Sequence, residues 1–206
     1  MDSQSFKVPF ITPEQVWAKA DYVRSISWPS NKVPIEIEEV LWYFKLQIDP
    51  IASLKGEGDV DALLTGDLTR IIVDMDEYMN DRMLNRMRFS IAHELGHFIL
   101  HKNIYQSIKH TSIQEWIKFV QCIPEDQYAY IEQQAYEFAG RLLVPTDRLK
   151  QELHQAYKKA KKAGFIDWEK SGDAAREYIA SSICRVFGVS SAVIEKRIIR
   201  EQHKLG

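Results

Sequence analysis

The stretch RFSIAHELGHFILH, residues 88–101, decides how this chain is read. It contains His93-Glu94-Leu95-Gly96-His97, an H-E-x-x-H string. On a helix, residues four apart stand on one face. His93 and His97 can therefore hold one metal ion from adjacent turns. Glu94 stands beside them, where a carboxylate can take a proton from an activated water. Three fixed letters in five also arise by chance, so the surroundings have to decide. At ~100° per residue, Leu84, Met87, Ile91, Leu95 and Phe98 form one apolar stripe, and the two histidines lie roughly opposite it. Phe89 and Leu100 flank the histidines on their own side. A helix covered on both faces, with two imidazoles and a carboxylate on the second, fits the lining of a metal cleft. Gly96 costs helix stability and admits close approach by another segment.

The third ligand must come from elsewhere. The extended metzincin motif needs Gly seven and His ten residues after the first histidine. Leu100 and Asn103 stand there, which excludes that class. His101 continues the histidine row, but three successive turns cannot converge on one small ion. It is expected at the cleft edge or behind a ligand. A later segment, YIEQQAYEFAGRLLVP (130–145), offers Glu132 and Glu137. Its apolar stripe is Tyr128, Ile131, Ala135, Phe138, Ala139 and Leu142. Glu132 lies ~60° from the centre of that stripe and Glu137 ~160° away, on the exposed face. A metal ligand looks inward, so Glu132 is the choice.

The rest of the chain sets the frame. Its 206 residues are 45% hydrophobic and 27% charged, an ordinary folded composition. The net charge of −2 gives no global pull toward nucleic acid or anionic membrane. No apolar run approaches a membrane span, and the start, MDSQSFKVPFITPEQ, has no signal core. Cys122 and Cys184 form no C-x-x-C pair, so a reducing cytoplasm is the expected setting, with both thiols buried. Residues 1–11 read as a flexible tail. Thr12-Pro13-Glu14 starts a helix to about Ser27, and a second helix follows Pro34. The β-branched runs and Gly-Asp turns of residues 47–75 predict two or three strands, the best from Thr69 to Asp74. Further helices are expected over 80–101, 126–143, 146–164, 173–187 and 190–203, with Thr146-Asp147 as the cap of the third of these. The segment 103–130, with Trp116 and Phe119, reads as a cleft lid, a partner surface or a packed excursion.

RFSIAHELGHFILH followed by EQQAYEFAGRLLVP resembles the ImmA/IrrE family of metallo-endopeptidases. That signature runs R-F-T-x-A-H-E-L-G-H-x-x-L-H, then E-x-[EQ]-A-[DN]-x-F-A-x-x-L-L-x-P. The resemblance implies an α+β fold: a mostly helical, zincin-like metallopeptidase core with a small β-sheet over 12–145. A C-terminal helical region of helix-turn-helix character occupies 146–206. It implies zinc on His93, His97 and Glu132, with Glu94 as general base. It also implies a bacterial or mobile-element role in which a partner repressor, often of helix-turn-helix type, is cleaved or inactivated. One departure stands out. The family's Asp or Asn four residues after the ligand glutamate is Tyr136 here. An acid at that spacing steadies a ligand histidine through its second ring nitrogen. Tyr136, Asp74 and Asp126 are the candidates to replace it.

The expected chemistry is hydrolysis of a peptide bond by zinc-activated water, with Glu94 as the proton acceptor. The oxyanion needs another donor, and His101, Tyr130, Tyr136 and Arg88 are candidates. Arg88 also reads as a structural ion-pair partner. The strand near Arg70–Asp74 is expected to offer its edge to an extended substrate. Two other function classes stay open. One is a zinc-holding regulatory protein without proteolysis. The other is a DNA-binding protein using SSICRVFGVSSAVIEKRI (181–198), with Lys196, Arg197 and Arg200 on the second helix. KKAKK (158–162) reads as a solvated face at a helix end.

Overall fold

Thr12 starts the first helix with a reciprocal cap. The Gln15 N–H donates to Thr12 Oγ1 (3.4 Å) and the Thr12 N–H donates to Gln15 Oε1 (2.9 Å), with Pro13 at the first helical position. Helix α1 (Pro13–Ser27) follows, as those signals predict. The computed structural model describes residues 8–107, 113–162, 164 and 168–201. Residues 8–11 belong to the expected tail but are not loose. The Val8 N–H donates to Gln127 Oε1, the Ile11 N–H donates to the Tyr130 hydroxyl, and the Phe10 ring stacks on Tyr130. Buried Val8 packs with Ile123 and Ile131, and that burial is what ties the segment down.

The chain divides into two compact units. The first joins the residues up to Ser30 with Glu36–Leu142; the second joins Asn31–Ile35 with the chain from Leu143 onward. The division falls three residues before the sequence boundary at 145/146 and adds the short 31–35 stretch to the second unit.

In the first unit, α1 is followed by α2 (Ile37–Tyr43), β1 (Gln47–Ile51), α3 (Leu54–Gly58), β2 (Ala62–Leu64) and β3 (Arg70–Asp74). The sheet order is β1-β3-β2. β1 runs parallel to β3 with Gln47 opposite Arg70, and β2 runs antiparallel with Leu63 opposite Ile72. The strand over Arg70–Asp74 is therefore central, and its edges are already paired. This corrects the expectation that it faces substrate; β1 and β2 are the edges. Pro50 sits on edge strand β1, where a missing N–H is tolerated. Alternation is clear on β3, with Ile71 and Val73 fully buried and Ile72 half-buried.

After α4 (Met75–Tyr78) and a 3-10 turn at Asp81–Met83 comes α5 (Leu84–Leu100), the histidine helix. It packs on β2 and β3, and its Met87, Ile91 and Leu95 are buried. Each such burial contributes about 2 kcal/mol. Leu84 shares the phase of this stripe but is 54% exposed. It opens the helix, beyond the part that covers the sheet. Helices α6 (Lys102–Ser107), α7 (Ile113–Cys122) and α8 (Glu125–Leu143) complete the run. The Phe119 side chain lies outside the described residues, and so does the stretch 108–112.

The second unit carries α9 (Thr146–Lys162), α10 (Trp168–Phe187) and α11 (Ser191–Glu201). Thr146 is not the cap of α9. It is the first helical residue, the Leu149 N–H closes onto the Pro145 carbonyl, and the Thr146 hydroxyl donates to Glu201 instead (2.7 Å to Oε2). α10 breaks at Gly172 (φ +48°), a backbone conformation open to glycine. α10 and α11 are bent by 111° across a turn that contains Gly188 (φ +61°). Arg197 is 3% exposed and ion-pairs with fully buried Glu201, one turn on. The lysines of 158–162 are exposed in the last turns of α9, as read. Both thiols differ from expectation: Cys122 is exposed at the end of α7, and Cys184 is half-buried with its Sγ near the Ser181 carbonyl (3.4 Å). Among the described residues, no single helix is long and apolar enough to cross a membrane. The described residues form a mostly helical α+β chain with a small three-stranded mixed sheet.

Candidate metal centre

Two helices and one strand edge build the site. Gly96 brings the helices together. A Cβ on it would stand 3.1 Å from Ala135 Cα and carbonyl O and 3.2 Å from Phe138 Cδ1. With no side chain at 96, α5 lies directly on α8, and the turn of α8 before that contact carries Glu132. Helical phase aims His93 and His97 at it. His93 Nε2 is 3.0 Å from Glu132 Oε2, His97 Nε2 is 3.3 Å from Glu132 Oε1, and the two Nε2 atoms are 3.0 Å apart. His97 is 1% exposed and His93 is half-buried.

Glu94 points to the sheet side of the same cluster. β3 is bonded on either side of β2, by the Asp74 N–H to the Asp61 carbonyl and by the Thr65 N–H to the Arg70 carbonyl, with Leu63 opposite Ile72, so Ala62 and Leu64 present their backbone outward. The Leu64 N–H donates to Glu94 Oε2 at 2.8 Å. Ligating atoms of His93, Glu94 and His97 lie within 4.8 Å of one another.

The electrostatics favour a cation among these groups. Burial raises the Glu94 carboxyl above its usual range, against the pull of His97 and His93. Burial pushes the His93 imidazole down, yet its bond to Glu132 and the nearby Glu94 charge outweigh this and leave it raised. Burial also pushes Glu132 up, but its pairing with His93 and the closeness of His97 overcome it and hold the carboxyl well below its usual range. A buried cluster that draws positive charge against desolvation has the electrostatics a cation site needs. Its donor set is two imidazoles and a carboxylate. Tetrahedral zinc with bonds of about 2.0–2.1 Å needs donors about 3.3 Å apart. The observed spacings of 3.0–3.3 Å fit that requirement.

The cluster floors an open cleft walled by Ala62, Phe89, Trp116, Tyr128 and Tyr136. Of the donors expected from sequence, only Tyr136 reaches it, with its ring 4.7 Å from Phe89 and 6.5 Å from His93. His101 is 2% exposed and lies behind His97, with burial and then His97 pushing its imidazole down to about 3. Tyr130 faces Ile11, and Arg88, 6% exposed, bonds Glu36 (3.3 Å). His101 thus takes the place behind a ligand that the sequence allowed, Arg88 is the ion-pair partner it also suggested, and Tyr130 is corrected as a cleft group. Asp74 accepts the N–H groups of Lys55 (2.9 Å) and Glu77 (3.1 Å), and Asp126 accepts from Gln127, so neither backs a histidine. Glu137 is half-buried and accepts the Trp17 indole N–H (3.0 Å). It points away from the cluster as its phase indicates, but under α1 and not into solvent. Trp116 places α7 of the 103–130 segment on the cleft wall.

Sequence reading missed two tyrosines on the cleft, Tyr105 and Tyr128. Burial raises both hydroxyls, and Tyr128 hydrogen-bonds Glu132. Tyr128 stands four residues before Glu132, so the i, i+4 rule gives a signal for it. Tyr105 carries no such signal: it meets the site by lying 5.3 Å from the His97 ring.

No curated protein matches the chain. A peptidase-family model described as the IrrE N-terminal-like domain matches residues 78–198, more than half of the chain, and spans α5, α8 and every ligating atom described above. The chain belongs to this ImmA/IrrE family of metallopeptidase type.

Proposed function

We propose that this chain is a zinc-dependent endopeptidase of the bacterial cytoplasm that cleaves or inactivates a partner transcriptional repressor. The observation that carries the catalytic part is the convergence of His93 Nε2, His97 Nε2 and the Glu132 carboxylate at 3.0–3.3 Å, with the Glu94 carboxylate beside them on an open cleft. The repressor, of helix-turn-helix type and encoded nearby, follows from the motif resemblance. His93, His97 and Glu132 are the residues that would hold zinc. Zinc at such a site supplies Lewis acidity toward water and a carbonyl oxygen.

The chain's own groups do the rest. Glu94 takes the proton of the attacking water and returns it to the leaving amine. Burial raises its pKa, which strengthens it as a proton acceptor. The Leu64 N–H keeps one Glu94 oxygen oriented. The outward backbone of Ala62 offers an extended substrate a strand to pair with. Tyr105, Tyr128 and Tyr136 line the cleft, and a tyrosine hydroxyl among them would be the donor to a developing oxyanion. Arg197, counted among the bases of a DNA-reading helix, is buried and paired with Glu201, which disfavours a phosphate-contacting role.

The test is incubation of purified chain with the repressor encoded beside it, with zinc present. Wild type yields two fragments and Glu94→Gln yields none. Zinc binding without fragments from wild type would replace the endopeptidase reading with that of a zinc-holding regulator.

A further inference from the structure

His97 is gripped from behind. Its Nδ1 lies 3.1 Å from His101 Nδ1, and His101 Nε2 lies 2.9 Å from Gln134 Oε1. His101 and Gln134 are 2% and 3% exposed, so the chain of contacts runs inside the protein. Each hydrogen bond needs one proton between its heavy atoms. A carboxamide oxygen only accepts, so His101 supplies the proton of the His101–Gln134 bond from Nε2. Buried, neutral His101 then has a bare Nδ1, and His97 must donate to it. The His97 proton therefore sits on Nδ1, and the lone pair of His97 Nε2 is aimed at His93 Nε2 and Glu132.

The reverse chain closes the site. If the Gln134 amide nitrogen faced His101, His101 would carry its proton on Nδ1. His97 would then carry its own on Nε2, pointing a hydrogen into the donor triangle. Among the described residues, Gln134 Nε2 is buried with no hydrogen-bond partner. The fold leaves the donor end of this amide unanswered and uses the acceptor end.

We propose that Gln134 and His101 are positioning residues that hold His97 in its metal-binding tautomer before the metal arrives. The proposal rests on the reading of His97 as a metal ligand. It assigns a role to His101 other than cleft group, and it gives His97 the backing that a carboxylate provides in other zinc sites.

The direct readout is the imidazole nitrogen spectrum of the full-length, 15N-labelled chain, recorded metal-stripped and zinc-loaded. The expected result is a proton on Nδ1 of His97 and on Nε2 of His101 in both states. A metal-stripped His97 protonated on Nε2 overturns the proposal, and does so without touching the peptidase reading, since neither metal nor substrate is involved. Zinc competition against a chromophoric chelator adds a second arm. His101→Gln keeps an acceptor opposite His97 and is expected to bind within about 3-fold of wild type. His101→Leu and Gln134→Leu are expected to lose about 10–100-fold. Equal losses for His101→Gln and His101→Leu would mean that packing, and not the tautomer, is what His101 provides. Unchanged zinc affinity in His97→Ala would instead remove the ligand reading itself.

Discussion

The Leu64 backbone N–H donates to Glu94 Oε2 at 2.8 Å, joining the edge strand to the carboxylate beside the two histidines. One bond thus orients the proposed base and places it against the strand where substrate would lie. A glutamine at 94 keeps an oxygen for Leu64 but cannot accept a proton. Glu94→Gln should keep its melting temperature within about 2 °C of wild type and still bind zinc. Its cleavage rate should fall by about 10²–10⁴-fold. A melt and a fragment-appearance assay check the two halves separately.

Glu132 and Glu137 should part company in metal affinity. Glu132→Ala removes one of three converging donors and should weaken zinc binding by about 100-fold or more. Glu137→Gln faces Trp17 and not the cluster. It should leave zinc affinity unchanged and cost about 1 kcal/mol of stability. Competition with a chromophoric chelator reads the first effect, and urea denaturation reads the second.

Gly96→Ala pits two effects against each other. Alanine improves helix propensity by about 1 kcal/mol. Its Cβ would press on Ala135 backbone at 3.1 Å, which cannot swing aside like a side-chain end. Overpacking of that kind costs about 1–3 kcal/mol, so the net result should be destabilising. It should also widen the gap between the histidines and Glu132 and weaken zinc binding. A thermal melt of the metal-free chain with a parallel zinc titration tests both.

Asp74 should make the first unit acid-sensitive. Its carboxylate accepts the Lys55 and Glu77 N–H groups, and its pKa is lowered, chiefly by the Lys55 bond. A depressed folded pKa gives stability that is present above the unfolded value and lost as pH falls through the folded one. Asp74→Ala should therefore cost about 1–2 kcal/mol at pH 7. The gap to wild type should shrink below the ordinary aspartate pKa of about 3.9. Urea denaturation at pH 7 and pH 3 gives the comparison.

In the second unit, Glu201→Ala removes the partner that Arg197 holds one turn away. Deleting one member of a buried ion pair costs about 3 kcal/mol or more. Arg197→Met with Glu201→Leu should recover most of the loss, because the double change leaves no buried charge. Calorimetric melts of the single and double variants settle the sign.

Sequence alone determined what helical period and local chemistry control. The spacing of His93 and His97, the choice of Glu132 over Glu137 and the Thr12 cap all depend on residues within one or two turns, where 3.6-residue geometry leaves little freedom. The mostly helical α+β class follows from the same patterns. Tertiary structure alone decided the long-range matters. Strand order put β2 (Ala62–Leu64) at an edge of the sheet and Arg70–Asp74 at its centre. Packing turned Glu137 toward Trp17 and buried Arg197 against Glu201. The Leu64 bond to Glu94, Tyr105 beside His97, and the chain from Gln134 through His101 join residues that are far apart along the sequence or otherwise unremarkable in it. Such contacts are selected by which groups find hydrogen-bond partners once α5, α8 and the sheet are packed. No local pattern encodes that selection, because it depends on the distances between elements and not on the period within any one of them.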